Sequence, residues 1–264
     1  MFGQTIIMIL IEIGGLGFMS FTTLIAIILG KKITLRERLI LQDAMNTFNI
    51  QGLVKMVKYV LVFTVSVQFF GALLLSTQFI PEFGFGKGAF YSLFHSISAF
   101  CNAGFDVLGK GNSLISFNTN VVVIMVLSIL IIIGGLGFTV WSELYTCKSI
   151  RRVSIHSKMV LLITTGLVVG GTLLMFLFEH NNPQTISKMS FINKLTNSFF
   201  ASVTPRTAGF NSISTSGMTT AGQFLTIILM FIGGSPGSTA GGIKTTTIGV
   251  LIVTVVSVIR GRED

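Results

Sequence analysis

Charged residues are scarce in this chain. Asp, Glu, Lys and Arg together make up 10% of it, against about 25% in soluble domains. That shortage, with a mean hydropathy of +0.83, excludes an ordinary soluble domain and leaves a chain that crosses a membrane several times. Acidic groups are the rarer sign, 9 against 18 basic ones. The excess of +9 would suit nucleic acid if it formed one patch, but the basic residues lie between the apolar runs. Nucleic acid is therefore excluded as a partner, and the lipid bilayer is the expected one. Only two cysteines are present; Cys101 and Cys147 fall near opposite ends of one predicted span, too far apart for a disulfide. His95, His156 and His180 are scattered, and no His, Cys, Asp or Glu cluster has metal-ligand spacing. The sequence thus offers no cofactor site and no metal site made of side chains. Met1 to Thr5 has no basic leader and no small-residue cleavage site, so the start reads as cut rather than processed.

What is present is a series of apolar runs, each about 20 residues and long enough to cross a hydrocarbon core of roughly 30 Å. Spans are predicted over residues 5–29, 53–78 (closed off by Pro81), 119–141 and 159–178, with a fifth starting near Ala221. The first and third carry Ile13-Gly-Gly-Leu-Gly-Phe18 and Ile133-Gly-Gly-Leu-Gly-Phe138, where glycines allow close backbone approach. Glu12, inside the first span, is either tied to a neighbouring hairpin or coordinates an ion. Thr34-Leu-Arg-Glu37 has the form of a capping box and starts a short amphipathic helix at the interface. Twelve Lys and Arg fall on the proposed inner segments and five on the outer ones (Lys87, Lys110, Lys188, Lys194, Arg206), with Lys244 in between. By the positive-inside rule this fixes the orientation.

Two shorter helices, 89–100 and 191–203, reach only mid-membrane at about 1.5 Å per residue. Pro205 biases Thr204 out of the helical region and stops the second. Each helix runs into the same core: Phe100-Cys-Asn-Ala-Gly-Phe-Asp106 and Thr204-Pro-Arg-Thr-Ala-Gly-Phe-Asn211. Irregular backbone sits at membrane depth only where protein buries it or where it lines a wet cavity. The repeat therefore favours two re-entrant hairpins that turn backbone carbonyls towards an ion path over glycines that merely cap helices. Around the turns, Asp106 either attracts cations at the mouth or, like Asn211, hydrogen-bonds behind the turn. Arg206 is expected to pair with an acidic group or to reach water at the mouth.

The fifth span breaks at Gly233-Gly-Ser-Pro-Gly-Ser-Thr-Ala-Gly-Gly242, where each glycine disfavours helix by about 1 kcal/mol and proline by about 3. A stretch with so few side chains to pack suits a mobile gate; the alternative is a small-residue packing seam. Lys244 is a tether for that gate or a residue of the wet inner vestibule. Ser235 and Ser238 have no base at comparable depth, so an intramembrane hydrolase is set aside and no enzyme is expected.

The two Ala-Gly-Phe turns and Gly233 to Lys244 resemble the Trk/Ktr/HKT potassium transporter family, most closely its bacterial Ktr-type membrane subunit, over essentially the whole chain. The resemblance implies an all-α membrane protein of four span, re-entrant pore helix, span repeats around a pseudo-fourfold pore, with two complete repeats present here. It implies a filter of backbone carbonyls at Asn102, Ala103, Gly104 and Phe105 and at Thr207, Ala208, Gly209 and Phe210, holding potassium through peptide oxygens only. It places Asp106, Arg206 and Asn211 at the pore mouth. It makes Gly233, Gly234, Ser235, Pro236, Gly237, Ser238, Thr239, Ala240, Gly241, Gly242 and Lys244 the gate. It also implies a homodimer on a cytosolic ring of nucleotide-binding regulatory subunits, sodium stimulation, and a multi-pass place in the plasma membrane.

The chain divides accordingly. Residues 1–30 are the last span of an incomplete first repeat, 31–52 a cytoplasmic amphipathic linker, and 53–145 the second repeat. Residues 146–158 form a cytoplasmic loop, and 159–264 the third repeat with its broken final span. The first hairpin and the fourth repeat are not in it, so it reads as an internal fragment that does not conduct alone. The expected function is potassium uptake through a channel-like pore. An ion-coupled secondary transporter with broken helices and a non-conducting scaffold are the rival readings.

Overall fold

The computed structural model describes residues 1–17, 53–109, 113–147 and 153–261, and everything described is helix, turn or loop apart from one isolated bridge. The interfacial helix expected after Thr34, the end of the first span and several inner basic residues lie outside the described residues. The helices are α1 (Phe2–Leu16), α2 (Leu53–Phe83), α3 (Phe85–Phe100), α4 (Val121–Leu136), α5 (Phe138–Thr146), α6 (Ile155–Glu179), α7 (Phe191–Val203), α8 (Thr220–Phe231) and α9 (Thr245–Ile259). Both α2 and α6 are long and apolar enough to cross a membrane, with mean hydropathies of 2.0 and 2.3.

Four boundaries differ from the sequence reading. Pro81 lies within α2, which continues to Phe83 and gives way to Gly84 at φ 80°. Pro81 costs the helix one bond, the amide it lacks towards Thr77 O, and the helix ends two residues on. The pore helix α3 starts four residues earlier than expected, at Phe85. The third span is not straight: α4 and α5 meet at 91°, pivoting on Gly137 at φ 90°. Thr204 keeps helical angles (φ −64°, ψ −36°) although Pro205 follows; its amide still bonds Phe200 O at 2.9 Å, and the chain turns only beyond it.

The two short helices are seated alike. The Ser96 hydroxyl of α3 donates to Gln68 O of α2 at 2.7 Å, and the Ser202 hydroxyl of α7 donates to Val168 O of α6 at 3.1 Å. A Cβ on Gly71 or Gly171 would strike those same hydroxyls, at 2.6 and 2.3 Å, so each pore helix crosses its span at a glycine. The common core joins Leu75 and Phe79 of α2, Leu127 and Ile131 of α4, and Phe200 and Val203 of α7. Outward faces of α2, α6 and α9 carry exposed Phe69, Phe70, Leu162, Leu173, Val253 and Val258, the apolar surface that lipid covers.

Candidate ion path and gate

The two Ala-Gly-Phe turns, about 105 residues apart in sequence, lie against each other. A Cβ built on Gly104 would come 1.8 Å from Ala208 O, so the backbones touch with nothing but hydrogen between them. Each turn takes the same backbone habit: Asn102 and Gly104 have φ of 53° and 71°, and Thr207 and Gly209 have 101° and 85°. Glycine adopts such angles freely, which is why the sequence has it there twice. Amides of the turns are satisfied by their own pore helices, Ala103 N to Ser98 O at 2.9 Å and Gly209 N to Thr204 O at 3.0 Å. On the outward return, Asn211 N donates to Ser113 Oγ at 3.0 Å and Asn211 O accepts from Leu114 N at 2.9 Å, binding the two hairpins together. Asp106 is half-buried on the first return.

Not all eight filter candidates present a free carbonyl. Phe105 O accepts the Ser98 hydroxyl at 2.8 Å and Phe210 O accepts the Thr204 hydroxyl at 2.7 Å. The oxygens without such a partner belong to the residues before them.

Arg206 departs from expectation. It is 8% exposed, it pairs with no carboxylate among the described residues, and its Nη2 donates to Gly233 O at 3.3 Å. The acceptor lies in the glycine-rich stretch just past the end of α8 at Phe231, where the guanidinium also meets the negative end of the helix dipole. Arg206 is thus a buried donor to backbone.

The Gly233–Gly242 stretch forms a closed neck and a lobe. Gly233 N to Ile243 O (3.0 Å), Gly234 N to Gly241 O (3.2 Å) and Thr245 N to Gly234 O (3.1 Å) tie the neck. The lobe, 235–240, docks on the end of α4. That helix has four terminal carbonyls without helical partners, and all are accounted for. Ile133 O takes Trp141 Nε1 at 2.9 Å, Gly134 O takes Thr239 N at 3.2 Å, and Gly135 O takes Ser235 N at 3.0 Å. Leu136 O takes the Ser235 hydroxyl. In return Gly237 O accepts Phe138 N at 2.9 Å, the first amide of α5. The bend of the third span and the lobe are therefore one mated pair, and Ser235 is spent as a structural donor. Thr239 carries the lobe up to the first turn: its hydroxyl donates to Phe100 O at 2.8 Å and accepts from Asn102 Nδ2 at 2.9 Å. Lys244 Nζ donates to Ala240 O at 2.8 Å.

Behind the first turn, Glu12 Oε2 accepts from Gln68 Nε2 at 2.7 Å and from the Cys101 thiol at 3.5 Å. Of the two readings of Glu12, the geometry realises the tie to a hairpin. Truncating it leaves two donors unsatisfied, at about 1–3 kcal/mol. Glu12→Ala is therefore expected to lower the melting temperature of the detergent-purified transporter clearly more than Glu12→Gln, whose amide oxygen still accepts; equal shifts would count against the tie.

Sequence reasoning missed two further features. Glu179, buried at the end of α6, accepts from Thr219 N (2.8 Å), Thr219 Oγ1 (2.7 Å), Thr185 Oγ1 (2.7 Å) and Asn182 Nδ2 (2.8 Å), pinning the outer loops beside the second turn. The other is the seat on Gly134 and Gly135; their repeated motif was visible, but its partner stands about 100 residues on. A cavity of about 430 Å³ runs beside the first turn, lined by Leu10, Gly14, Cys101, Ala103, Phe105 and Thr239 among others.

Paired turns at the ends of two short helices, with a glycine-rich lobe packed against the first of them, are what the site brings together. The chain belongs to the TrkH cation transport protein family, whose model matches residues 1–264. It is 48% identical over 260 residues to the potassium/sodium uptake protein NtpJ of Enterococcus hirae, covering 98% of this chain and 57% of that protein. It is 43% identical over 263 residues to the Ktr system potassium uptake protein B of Bacillus subtilis, covering 100% and 59%. The crystal structure of the potassium transporter TrkH from Vibrio parahaemolyticus has the same fold, with a TM-score of 0.65 at 18% identity over 86% of this chain and 47% of that one. The chain thus spans somewhat over half the length of these curated relatives. It is a multi-pass plasma-membrane protein, as the Trk/Ktr resemblance implied.

Proposed function

We propose that this chain forms two adjacent quarters of a potassium uptake pore, with a filter of peptide oxygens above a hydrogen-bonded gate. The observation that carries this is the contact between the two turns, a Cβ on Gly104 standing 1.8 Å from Ala208 O. Two copies of one motif that touch backbone to backbone make neighbouring staves of one channel. The alternation of positive φ at Asn102 and Gly104 with negative φ at Ala103 is the habit by which successive carbonyls come to face one side. Such oxygens replace an ion's water. The negative ends of α3 and α7 both point into the turns, which favours a cation there.

A rule of the pseudo-fourfold arrangement follows from the phenylalanines. The Phe210 ring is fully buried and stacks on His95 of α3, the preceding pore helix, with centroids 6.4 Å apart. By the same rule Phe105, 55% exposed, meets the pore helix of a preceding repeat. Residues 53–145 and 159–264 are then the second and third repeats and 1–30 the end of the first. Asp106 and Asn211 lie at the mouth, and the stretch 233–244, neck and lobe together, is the gate.

Relatives named as Ktr system components support a membrane subunit that works with others, here a homodimer on a cytosolic nucleotide-binding ring. The Enterococcus relative is named for uptake of sodium as well as potassium, which makes sodium a second ion to test, as a carried ion or as a stimulant.

The test is rubidium flux into potassium-loaded liposomes. The complete transporter, with the two further repeats, is expected to exchange rubidium. This chain alone, with two of four staves, is expected to give the background of empty vesicles. Flux through the chain alone would overturn the four-stave pore, and no flux through the complete transporter would overturn transport.

A further inference from the structure

Ser98 and Thr204 sit at the ends of the two pore helices, 0% and 7% exposed, and each grips both limbs of its own turn. The backbone oxygen of Ser98 takes the amide of Ala103 (2.9 Å), and its hydroxyl donates to Phe105 O (2.8 Å). The backbone oxygen of Thr204 takes the amide of Gly209 (3.0 Å), and its hydroxyl donates to Phe210 O (2.7 Å). The two residues are not equivalent in the repeat. Aligned on Ala-Gly-Phe, Thr204 matches Ala99, and the second turn is shorter by one residue, the hydroxyl-to-carbonyl separation being six in place of seven. Different residue types from different registers make the same double clip, so the clip follows the turn and not the duplicated sequence.

We infer that Ser98 and Thr204 are positioning residues that set the ion selectivity of the pore, by fixing the width of each turn and holding the phenylalanine carbonyls away from the ion path. This rests on the filter reading given above. Discrimination between potassium and sodium depends on where the coordinating oxygens stand, or on how many there are. A turn clipped across both limbs holds that number and spacing constant. Without the hydroxyl, Phe105 O or Phe210 O has no partner on its pore helix and swings towards the next strongest attraction, the cation.

The experiment measures rubidium uptake by the complete transporter under sodium competition, comparing Ser98→Ala and Thr204→Val with the hydroxyl-keeping Ser98→Thr and Thr204→Ser. Loss of one clip is expected to lower potassium-over-sodium preference by about fivefold, the equilibrium worth of one hydrogen bond. The loss should appear in apparent KM with little change in maximal rate, and the hydroxyl-keeping variants should restore it. If a variant reaches the membrane poorly, the melting temperature of purified protein in potassium against sodium gives the same comparison without transport, and the excess stabilisation by potassium should shrink. Unchanged ion preference in both measurements, or a fall in maximal rate alone, overturns the inference. Gly104→Ala run in parallel separates the two levels. If it loses selectivity while the hydroxyl variants keep theirs, the clip fails and the filter stands; if it too keeps selectivity, the filter reading itself fails.

Discussion

Gly104→Ala in the complete transporter is expected to cut potassium-selective uptake on the order of a hundredfold, the usual penalty when a preorganised site is displaced by about 1 Å. Two costs act together. At φ 71° a Cβ is strained by roughly 1–2 kcal/mol. The larger cost is steric, because the methyl would stand 1.8 Å from Ala208 O, a backbone atom with no rotamer to escape into. Either turn must retreat, and both carry the oxygens that the ion would meet. Gly209 tests the symmetry of the pore. Its φ is 85° and a Cβ there meets no other atom of the described residues within 4 Å, its two chain neighbours apart. In a pseudo-fourfold pore the next repeat brings its own carbonyl to that side, so Gly209→Ala should be as damaging as Gly104→Ala. Rubidium uptake with sodium competition, in cells lacking other potassium uptake, reads both. A Gly209→Ala transporter with near-normal selectivity would contradict fourfold closure, and a normal Gly104→Ala transporter would contradict the filter.

Much of this arrangement was legible in the sequence where the physics is local. Helix α7 was placed at 191–203 as a short run ahead of Pro205, and those are its bounds; the Ser190 hydroxyl that caps it, accepting the Asn193 amide, went unread. The turns were legible because a glycine at positive φ leaves a mark, and because the mark occurs twice. The end of α8 was legible because Gly233-Gly-Ser-Pro-Gly cannot continue a helix. What escaped depends on partners distant in sequence. The 91° bend after Leu136 looked like an unbroken apolar run, since the donors that let α4 end there come from Ser235 and Thr239. Arg206 was matched against carboxylates, the usual partners of a buried guanidinium, whereas its acceptor is a carbonyl just past the end of α8. Glu12 was legible as an oddity, but its tie to Cys101 needed the fold. Ser98 and Thr204 escaped because the repeat was aligned on Ala-Gly-Phe, and that alignment sets them out of register.

Deleting Ser235 to Ala240 from the complete transporter is expected to raise potassium flux by at least about tenfold. The deletion is geometrically mild, because Gly234 N already donates to Gly241 O at 3.2 Å and Gly233 N to Ile243 O at 3.0 Å. The neck closes on itself and α8 and α9 keep their relation. What goes is the lobe and its attachment beneath the filter, namely the Thr239 hydroxyl bonds to Phe100 O and Asn102 and the amide bonds onto Gly134 and Gly135. At a net of about 1 kcal/mol per hydrogen bond, and tenfold per 1.4 kcal/mol, losing even two of these moves a closed pore well towards open. The carbonyls of Gly134, Gly135 and Leu136 then lack partners, a state tolerable only if water reaches them, so an open gate is also a wet one. Thr239→Val, which removes the two hydroxyl bonds and keeps the lobe, should raise flux by a smaller factor. It should also loosen Asn102 enough to weaken sodium exclusion. Flux that is unchanged or lower after the deletion, at normal membrane abundance and with potassium still stabilising the purified protein, would mean that the lobe packs the inner vestibule and does not close it.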